Sequence, residues 1–328
     1  MSNRPAKLTI WSNALFSDAA TRLLAEGTRE HHLVFSNVVS ASVLVAGQAD
    51  PLLASADVAF GQPDETQSQQ CARLRWVEVT TAGYTRYDTS EFRENFKARG
   101  AAFTNVSAVF ADPCAQHVLA MMLALGRQLL PSYRDQITDR SWHYTERRYD
   151  SRLLTGQTVL LLGFGAIGRR LAELLAPFGV NLIAVRRQTR SERGVRIISE
   201  EHVSAALAAA DHVVNILPDN ASTRNYVNAR RLSCCKPGAR FYNVGRGTTV
   251  DQTALSEALR SGRLGAAYLD VFTTEPLPPN DPIRDAPNCF ITPHTAGGRS
   301  DQDEAIVNHF LGNLRAFIRG EAMVDRVV

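Results

Sequence analysis

The chain has 328 residues, long for one domain and comfortable for two, and its 45% hydrophobic content leaves ample core. A formal net charge of +3, without any block of Lys and Arg interleaved with aromatics, argues against nucleic acid as a partner. No apolar run of membrane-spanning length and no signal-peptide core stand out, so a soluble, cytoplasmic protein is expected.

The first hundred residues alternate between two periodicities. Residues 7–11, 32–36, 57–60, 76–80 and 101–106 read as strands, with helical segments at 17–26 and 51–56 between them. Such βα alternation predicts a parallel sheet with helices on both faces. A long helical pattern follows at 113–128, with Val118, Met122 and Leu125 on one face and Pro131 ending it or coming just after its end. Residues 132–153, rich in Arg, Tyr and Trp, read as an extended arm outside any core.

A second series begins at Thr158. Strands are predicted at 158–162, 181–185, 212–217, 240–244, 266–271 and 290–292, with helices at 167–176, 204–210 and 253–261. Ser300-Asp301-Gln302-Asp303 reads as a variant capping box that opens a last helix. That helix places Ile306, Phe310, Leu314 and Phe317 on one stripe, and too little chain follows to build a third domain. It is therefore expected to return to the first domain. The five cysteines (Cys71, Cys114, Cys234, Cys235 and Cys289) are odd in number and show no Cys-x-x-Cys spacing. They predict reduced thiols and no metal site.

The strand at 158–162 runs into Gly163-Phe164-Gly165-Ala166-Ile167-Gly168 and then a helix, the context a dinucleotide-binding turn requires. Gly163 serves the tight turn, Gly165 the approach of backbone to pyrophosphate, and Gly168 the packing of helix on strand. The helix N-terminus then offers amides to the phosphates. The next strand, 181–185, ends in Arg186-Arg187, where an NAD-binding fold would place Asp or Glu on the ribose hydroxyls. An acid would repel a 2′-phosphate and two guanidiniums would bind it, so NADP(H) is expected over NAD(H), with NAD(H) possible.

Three polar residues follow, each where a predicted strand gives way to a loop: Arg246 in Asn243-Val244-Gly245-Arg246-Gly247, Glu275 in Asp270-Val271-Phe272-Thr273-Thr274-Glu275-Pro276, and His294 after Pro293. The carboxyl ends of strands are where an open parallel sheet binds ligands. A guanidinium, a carboxylate and an imidazole are also what reduction of a 2-keto acid to a 2-hydroxy acid needs. The cation holds the substrate carboxylate, and the imidazolium supplies a proton.

From about residue 75 to 320 the chain resembles the D-isomer-specific 2-hydroxyacid dehydrogenases, glyoxylate and hydroxypyruvate reductases in particular. The resemblance is carried by Ala82-Gly83-Tyr84, Ala115-Gln116-His117, the Gly163 fingerprint, Leu217-Pro218 with Thr223, Asn243 to Gly247 with Val250-Asp251, Leu269 to Phe272 with Glu275-Pro276, and Pro293-His294. It implies an α/β architecture of two doubly wound parallel-sheet domains, a Rossmann nucleotide-binding domain inserted in a flavodoxin-like substrate domain. The expected boundaries are 1–105 with 297–328 for the substrate domain and 106–296 for the cofactor domain.

The family's roles, carried over residue by residue, make His294 the acid/base, Glu275 its partner and Arg246 the substrate anchor. Ala82 and Gly83 would hold the substrate carboxylate from the other domain. The cofactor would be held by Gly163, Gly165, Ala166, Ile167, Gly168, Arg186, Arg187, Leu217, Pro218, Thr223, Val244, Gly245, Asp270, His294 and Gly297, with Asp270 at the nicotinamide carboxamide. Trp142 on the arm would reach a neighbouring subunit's substrate pocket or pack a dimer interface, and a homodimer is expected. Tyr84, Phe110 and Trp142 suggest aromatic pocket walls. Gln116 departs from the family's usual Glu, which touches helix-surface contacts and not chemistry. Two other readings share the fold: a formate dehydrogenase, opposed by Glu275 where Gln is usual, and a nucleotide-sensing corepressor, opposed by the absence of an interaction tail. The residues alone leave the substrate side chain open.

Overall fold

Short polar residues set several helix starts. Ser17 accepts the Ala20 amide at the head of the helix Asp18–Gly27, Thr89 that of Phe92 before Ser90–Ala98, and Asp251 that of Ala254 before Gln252–Arg260. The computed structural model of the protein describes residues 7–40, 47–186 and 191–328. Among them, twelve strands form two sheets, and the chain divides into two compact units: Met1–Phe110 with Arg299–Val328, and Ala111–Gly298.

The first unit holds β1 (Thr9–Ala14), β2 (His32–Ser40), β3 (Val58–Gly61), β4 (Trp76–Val79) and β5 (Ala102–Thr104), all parallel, in the order β2-β1-β3-β4-β5. Successive side chains point to opposite faces, so Ile10, Val58, Phe60 and Trp76 enter one core and Trp11, Ala59 and Val77 the other. Both faces are covered, which is why the strands read as continuous apolar runs. The helix Gln302–Arg319 covers the first face with Ile306, Phe310 and Leu314, and the Phe310 ring stacks 4.1 Å from Phe60 and 5.1 Å from Trp76. Burying each such side chain contributes about 1.5–3 kcal/mol.

The expected capping box at 300–303 does not form. Asp301 is the N-cap residue but makes no cap hydrogen bond; it pairs with Arg299, and the Asp303 carboxylate accepts the Ser17 amide at 2.8 Å. A contact distant in sequence has taken the acid that a local cap would have used.

The second unit holds β6 (Thr158–Leu162), β7 (Asn181–Val185), β8 (Arg196–Ile198), β9 (His212–Asn215), β10 (Ala239–Asn243), β11 (Leu264–Leu269) and β12 (Cys289–Ile291). All pair in parallel, in the order β12-β11-β10-β9-β6-β7-β8. The strand order reverses between β6 and β9, which opens a crevice at their carboxyl ends.

Several expectations meet a different outcome around residues 107–150. The long helix spans Ser107–Gly126, so Pro113 lies inside it, one turn after the buried Val109. By length and a mean hydropathy of 1.4 this helix could cross a membrane, contrary to the expectation that no apolar run is long enough. Within the protein its Val118 and Met122 are fully buried. Pro131 comes after the end of that helix, in the first turn of the next, Leu129–Ile137, where a missing N–H leaves no bond unmade. The arm is not extended: Leu129–Ile137 and Tyr144–Asp150 are helices, joined by a two-point Arg147–Asp135 ion pair, and neither buries a residue. Helices with no buried face leave no apolar period to read.

A polar network anchors the last helix. Glu78, fully buried on β4, accepts from Thr104 and Asn313 and meets His309, whose other nitrogen meets Asp325. Burial alone would lower the His309 pKa, but hydrogen bonds to Asp325 and Glu78, with their charges, raise it to about 9. Because the folded pKa lies above the unfolded 6.5, the stabilisation is complete below pH 6.5 and is lost as pH rises through about 9. It should amount to about 3 kcal/mol. Melting temperatures of the native chain and His309→Gln should therefore differ most at acid-to-neutral pH and converge under alkaline conditions. A gap that stays constant with pH would refute a charged His309.

Candidate active site

The glycine turn has the conformation its sequence requires. Gly163 leaves β6 at φ +98°, where an L side chain is strained, and a Cβ there would lie 3.2 Å from the Ile216 carbonyl oxygen. Gly168 passes close to the same turn, its Cβ position being 3.1 Å from the Gly163 carbonyl. Gly165, the N-cap of the helix Ala166–Leu175, has nothing within 4 Å of its Cβ position and makes no side-chain cap bond. The turn therefore presents open backbone and the amides of Ala166, Ile167 and Gly168 at a helix N-terminus, the donor set a pyrophosphate takes. These residues fit a dinucleotide.

At the end of β7 the structure corrects one premise. No acid follows Arg186 closely in sequence, yet Glu192 folds back so that its Oε1 lies 3.4 Å from Nη1 of Arg186 and 3.4 Å from Nη1 of Arg169. Arg169 follows Gly168 directly, and its guanidinium lies over the Phe164 ring. Arg187, the second arginine of the pair, lies outside the described residues.

Arg246, Glu275 and His294 come together at the carboxyl ends of β10, β11 and β12. His294 Nδ1 lies 2.6 Å from Glu275 Oε2, and Glu275 Oε1 accepts the Phe272 amide at 2.8 Å. The hydrogen bond to Glu275 raises the His294 pKa, opposed by burial and by the Arg246 charge. Burial raises the Glu275 pKa, but the bonds from His294 and the Phe272 amide outweigh it and hold the carboxyl below its usual range. Arg246 acts on both through its charge. Its Nη1 donates to the Gly245 carbonyl, and no carboxylate among the described residues forms an ion pair with it.

Asp270 builds the loop that carries His294. Its Oδ1 accepts from the Thr292 hydroxyl at 2.5 Å and the Thr295 amide at 2.8 Å, its Oδ2 accepts the Ala296 amide at 3.0 Å, and its carbonyl accepts the His294 amide at 2.9 Å. These bonds hold His294 at φ +54°, a left-handed conformation uncommon for a residue other than glycine. Much of the Asp270 acceptor capacity thus goes to the loop.

The remaining expected residues are placed as follows. Leu217 and Pro218 follow β9, and the Thr223 hydroxyl donates to the Pro218 carbonyl, closing the turn between them. Gly245, beside the buried Val244, lies where a Cβ would be 2.7 Å from the Leu217 carbonyl oxygen, and a Cβ on Gly247 would overlap the Phe272 backbone. Both glycines therefore let neighbouring loops pack closely. Gly297 lies just past the Asp270-clamped segment. In the other unit, Ala82 and Gly83 follow β4, and their carbonyls are tied down by Asn105 and by Thr81. Tyr84 and Phe110, both partly buried, pack against that unit's cores. Trp142 is 89% exposed in the link between the two arm helices.

Sequence reasoning missed Glu192, Arg169, Thr292, Tyr268 and Cys114. Tyr268 bonds Thr292 at 2.6 Å and stacks on His117, extending the support of Asp270 back to the long helix. Burial pushes the nearby Cys114 thiol up to about 12, in the field of Asp270 and Arg246. Arg169 was readable as a cation immediately after the fingerprint; the fold-back of Glu192 had no local signal.

A family profile described as D-isomer specific 2-hydroxyacid dehydrogenase, NAD binding domain, matches residues 119–296. A glyoxylate reductase from Pyrococcus furiosus is 29% identical over 265 residues, 79% of this chain and 77% of its own. The D-isomer specific 2-hydroxyacid dehydrogenase from Xanthobacter autotrophicus Py2, solved with NADPH and MES, is similar with a TM-score of 0.80 at 25% identity over 98% of each chain. The NADPH-dependent glyoxylate/hydroxypyruvate reductase from Sinorhizobium meliloti, solved with NADP and malonate, gives 0.72 at 26% identity, covering 98% of this chain and 97% of that one.

The pKa pair can be tested directly. In an NMR titration the His294 ring should ionise above the ordinary 6.5, and in Glu275→Gln it should ionise at lower pH, because burial and the Arg246 charge persist. An unchanged titration would show that Glu275 does not hold the proton.

Proposed function

The chain belongs to the D-isomer specific 2-hydroxyacid dehydrogenase family, NAD(P)-dependent oxidoreductases, and on that premise we propose that it reduces a small 2-keto acid to the D-2-hydroxy acid with NADPH. Glyoxylate and hydroxypyruvate are the substrates favoured by the names of its relatives. The observation that carries the reading is the 2.6 Å bond between His294 and Glu275 beside the Arg246 guanidinium.

In this reading Arg246 pairs with the substrate carboxylate and polarises the keto oxygen. A reduced nicotinamide, when bound, supplies the hydride that reaches the carbonyl carbon. His294, protonated because Glu275 holds its Nδ1, gives the proton on Nε2 to the developing alkoxide oxygen. Glu275 then faces a neutral imidazole, which takes a proton back from solvent. Ala82 and Gly83 offer backbone amides to the substrate, and Asp270 both shapes the His294 loop and meets the carboxamide. The unit containing residues 119–296 is the cofactor-binding one, as its family description has it, and the five-stranded unit receives substrate.

The cofactor is held by the Gly163–Gly168 turn, by Leu217, Pro218 and Thr223 after β9, and by Val244, Gly245 and Gly297. Preference for NADP(H) rests on Arg186 and Arg187, and Arg169, which shares Glu192 with Arg186, supports it. The arm presents Leu129, Tyr133, Ile137, Trp142, Tyr144 and Tyr149 to solvent, a concentration of apolar surface that fits a two-fold dimer with Trp142 reaching the partner.

Two measurements test this reading. With a panel of 2-keto acids and either cofactor, NADPH with glyoxylate or hydroxypyruvate should give the highest kcat/KM; His294→Ala should lower kcat about 10²–10⁴-fold and leave NADPH affinity nearly unchanged. Undiminished turnover in that variant would sink the acid/base assignment. In light scattering at micromolar concentration the protein should have twice its 36.0 kDa chain mass, and a monomer would remove the dimer.

A further inference from the structure

The loop after β7 carries a feature that NADP(H) preference does not explain. A chain that binds a 2′-phosphate with arginines gains nothing from a carboxylate among them, yet Glu192 stands between Arg169 and Arg186, sharing one oxygen with both. We propose that Glu192 is a built-in competitor for the cofactor's 2′-phosphate, and that it sets how sharply the enzyme separates NADPH from NADH.

The geometry favours displacement. Both contacts are 3.4 Å, well beyond the 2.7–2.9 Å of a tight charge-assisted bond, so the carboxylate holds the guanidiniums loosely. The three side chains are 46%, 26% and 31% exposed for Arg169, Arg186 and Glu192, so the cluster opens to solvent. Arg169 sits on the first turn of the helix that follows the glycine turn, and Arg186 at the carboxyl end of β7, so two separate elements bring their cations to one anion. The short hairpin closed by the Glu192–Val195 bridge is what turns the acid back toward them.

Two consequences follow. A 2′-phosphate, with more charge and more acceptor oxygens than a carboxylate, replaces Glu192 and takes both guanidiniums, but its net gain is reduced by the pairing it breaks. NADH, with only hydroxyls at that position, leaves the pairing intact and meets a carboxylate able to accept from a ribose hydroxyl. The same residue thus lowers the affinity for NADPH and supports that for NADH.

The inference rests on the cofactor preference proposed above, and binding measurements separate the two. Dissociation constants of NADPH and NADH are obtained from quenching of intrinsic fluorescence, and those of 2′,5′-ADP and 5′-AMP from calorimetry, for the native chain, Glu192→Gln and Arg169→Gln. Glu192→Gln should bind NADPH and 2′,5′-ADP about 3- to 10-fold more tightly, with NADH and 5′-AMP unchanged or weaker. Arg169→Gln should weaken 2′,5′-ADP and leave 5′-AMP alone. If Glu192→Gln leaves the phosphate-bearing ligands unchanged or weakens them, Glu192 is no competitor, whatever the native preference. If the native chain binds both dinucleotides equally while Glu192→Gln still tightens NADPH, the preference fails and the competitor role stands. Since Glu192 is partly exposed, equal melting temperatures should show that both variants fold.

Discussion

A carboxylate that is almost wholly buried, Asp270, sets the geometry on which the candidate chemistry depends. Removing a charge from water is costly unless hydrogen bonds replace the lost solvation. Asp270 is 2% exposed and receives a hydroxyl and two amides, all from the segment Thr292 to Ala296. The charge therefore ties the end of β11 to the loop after β12, and His294 is carried in the middle of that loop in a backbone conformation the bonds impose. Tyr268 supports Thr292 in turn, and His117 stacks on Tyr268. Pre-organisation of this kind keeps a proton donor in place without help from substrate.

The other two members of the site are fixed by different means. Thr249 donates to the Arg246 carbonyl and Asn243 accepts the Gly245 amide, while the absent side chains of Gly245 and Gly247 let this loop lie against Leu217 and Phe272. Glu275 is held by the Phe272 amide. The loop of Arg246 and the loop of Glu275 thus touch the same residue, Phe272. Parallel strands leave their loops side by side, and close backbone packing then decides which side chains face one another.

Features with a local cause were legible in the sequence. The Gly163 turn was, because strand, glycines and helix follow one another, and β6 and β7 begin and end where their apolar runs do. Arg246, Glu275 and His294 were, because each follows a strand and the topology collects strand ends. What long-range contacts decide was not legible. Asp303 looked like a cap residue and binds Ser17 from the far end of the chain. Glu192 carried no local signal, because its fold-back depends on a hairpin of a few residues. The arm helices hide no face and so leave no period, while the helix Ser107–Gly126 has apolar residues on most sides and overran the boundary that Pro113 suggested.

The protein holds two histidines against carboxylates, and the difference between them argues which can exchange a proton. His309 lies between Glu78 and Asp325, its side chain is 8% exposed, and its pKa is raised to about 9. Near neutrality it keeps its proton, and its contacts join a helix, a strand and the C-terminal segment, which is a structural task. His294 has one carboxylate on Nδ1, a side chain 41% exposed, and the Arg246 cation opposing the rise in its pKa. A general acid must give up its proton at working pH as readily as it regains it. One carboxylate opposed by a guanidinium, on a ring open to solvent, suits the acid/base role proposed for His294, and two carboxylates in a sealed core do not.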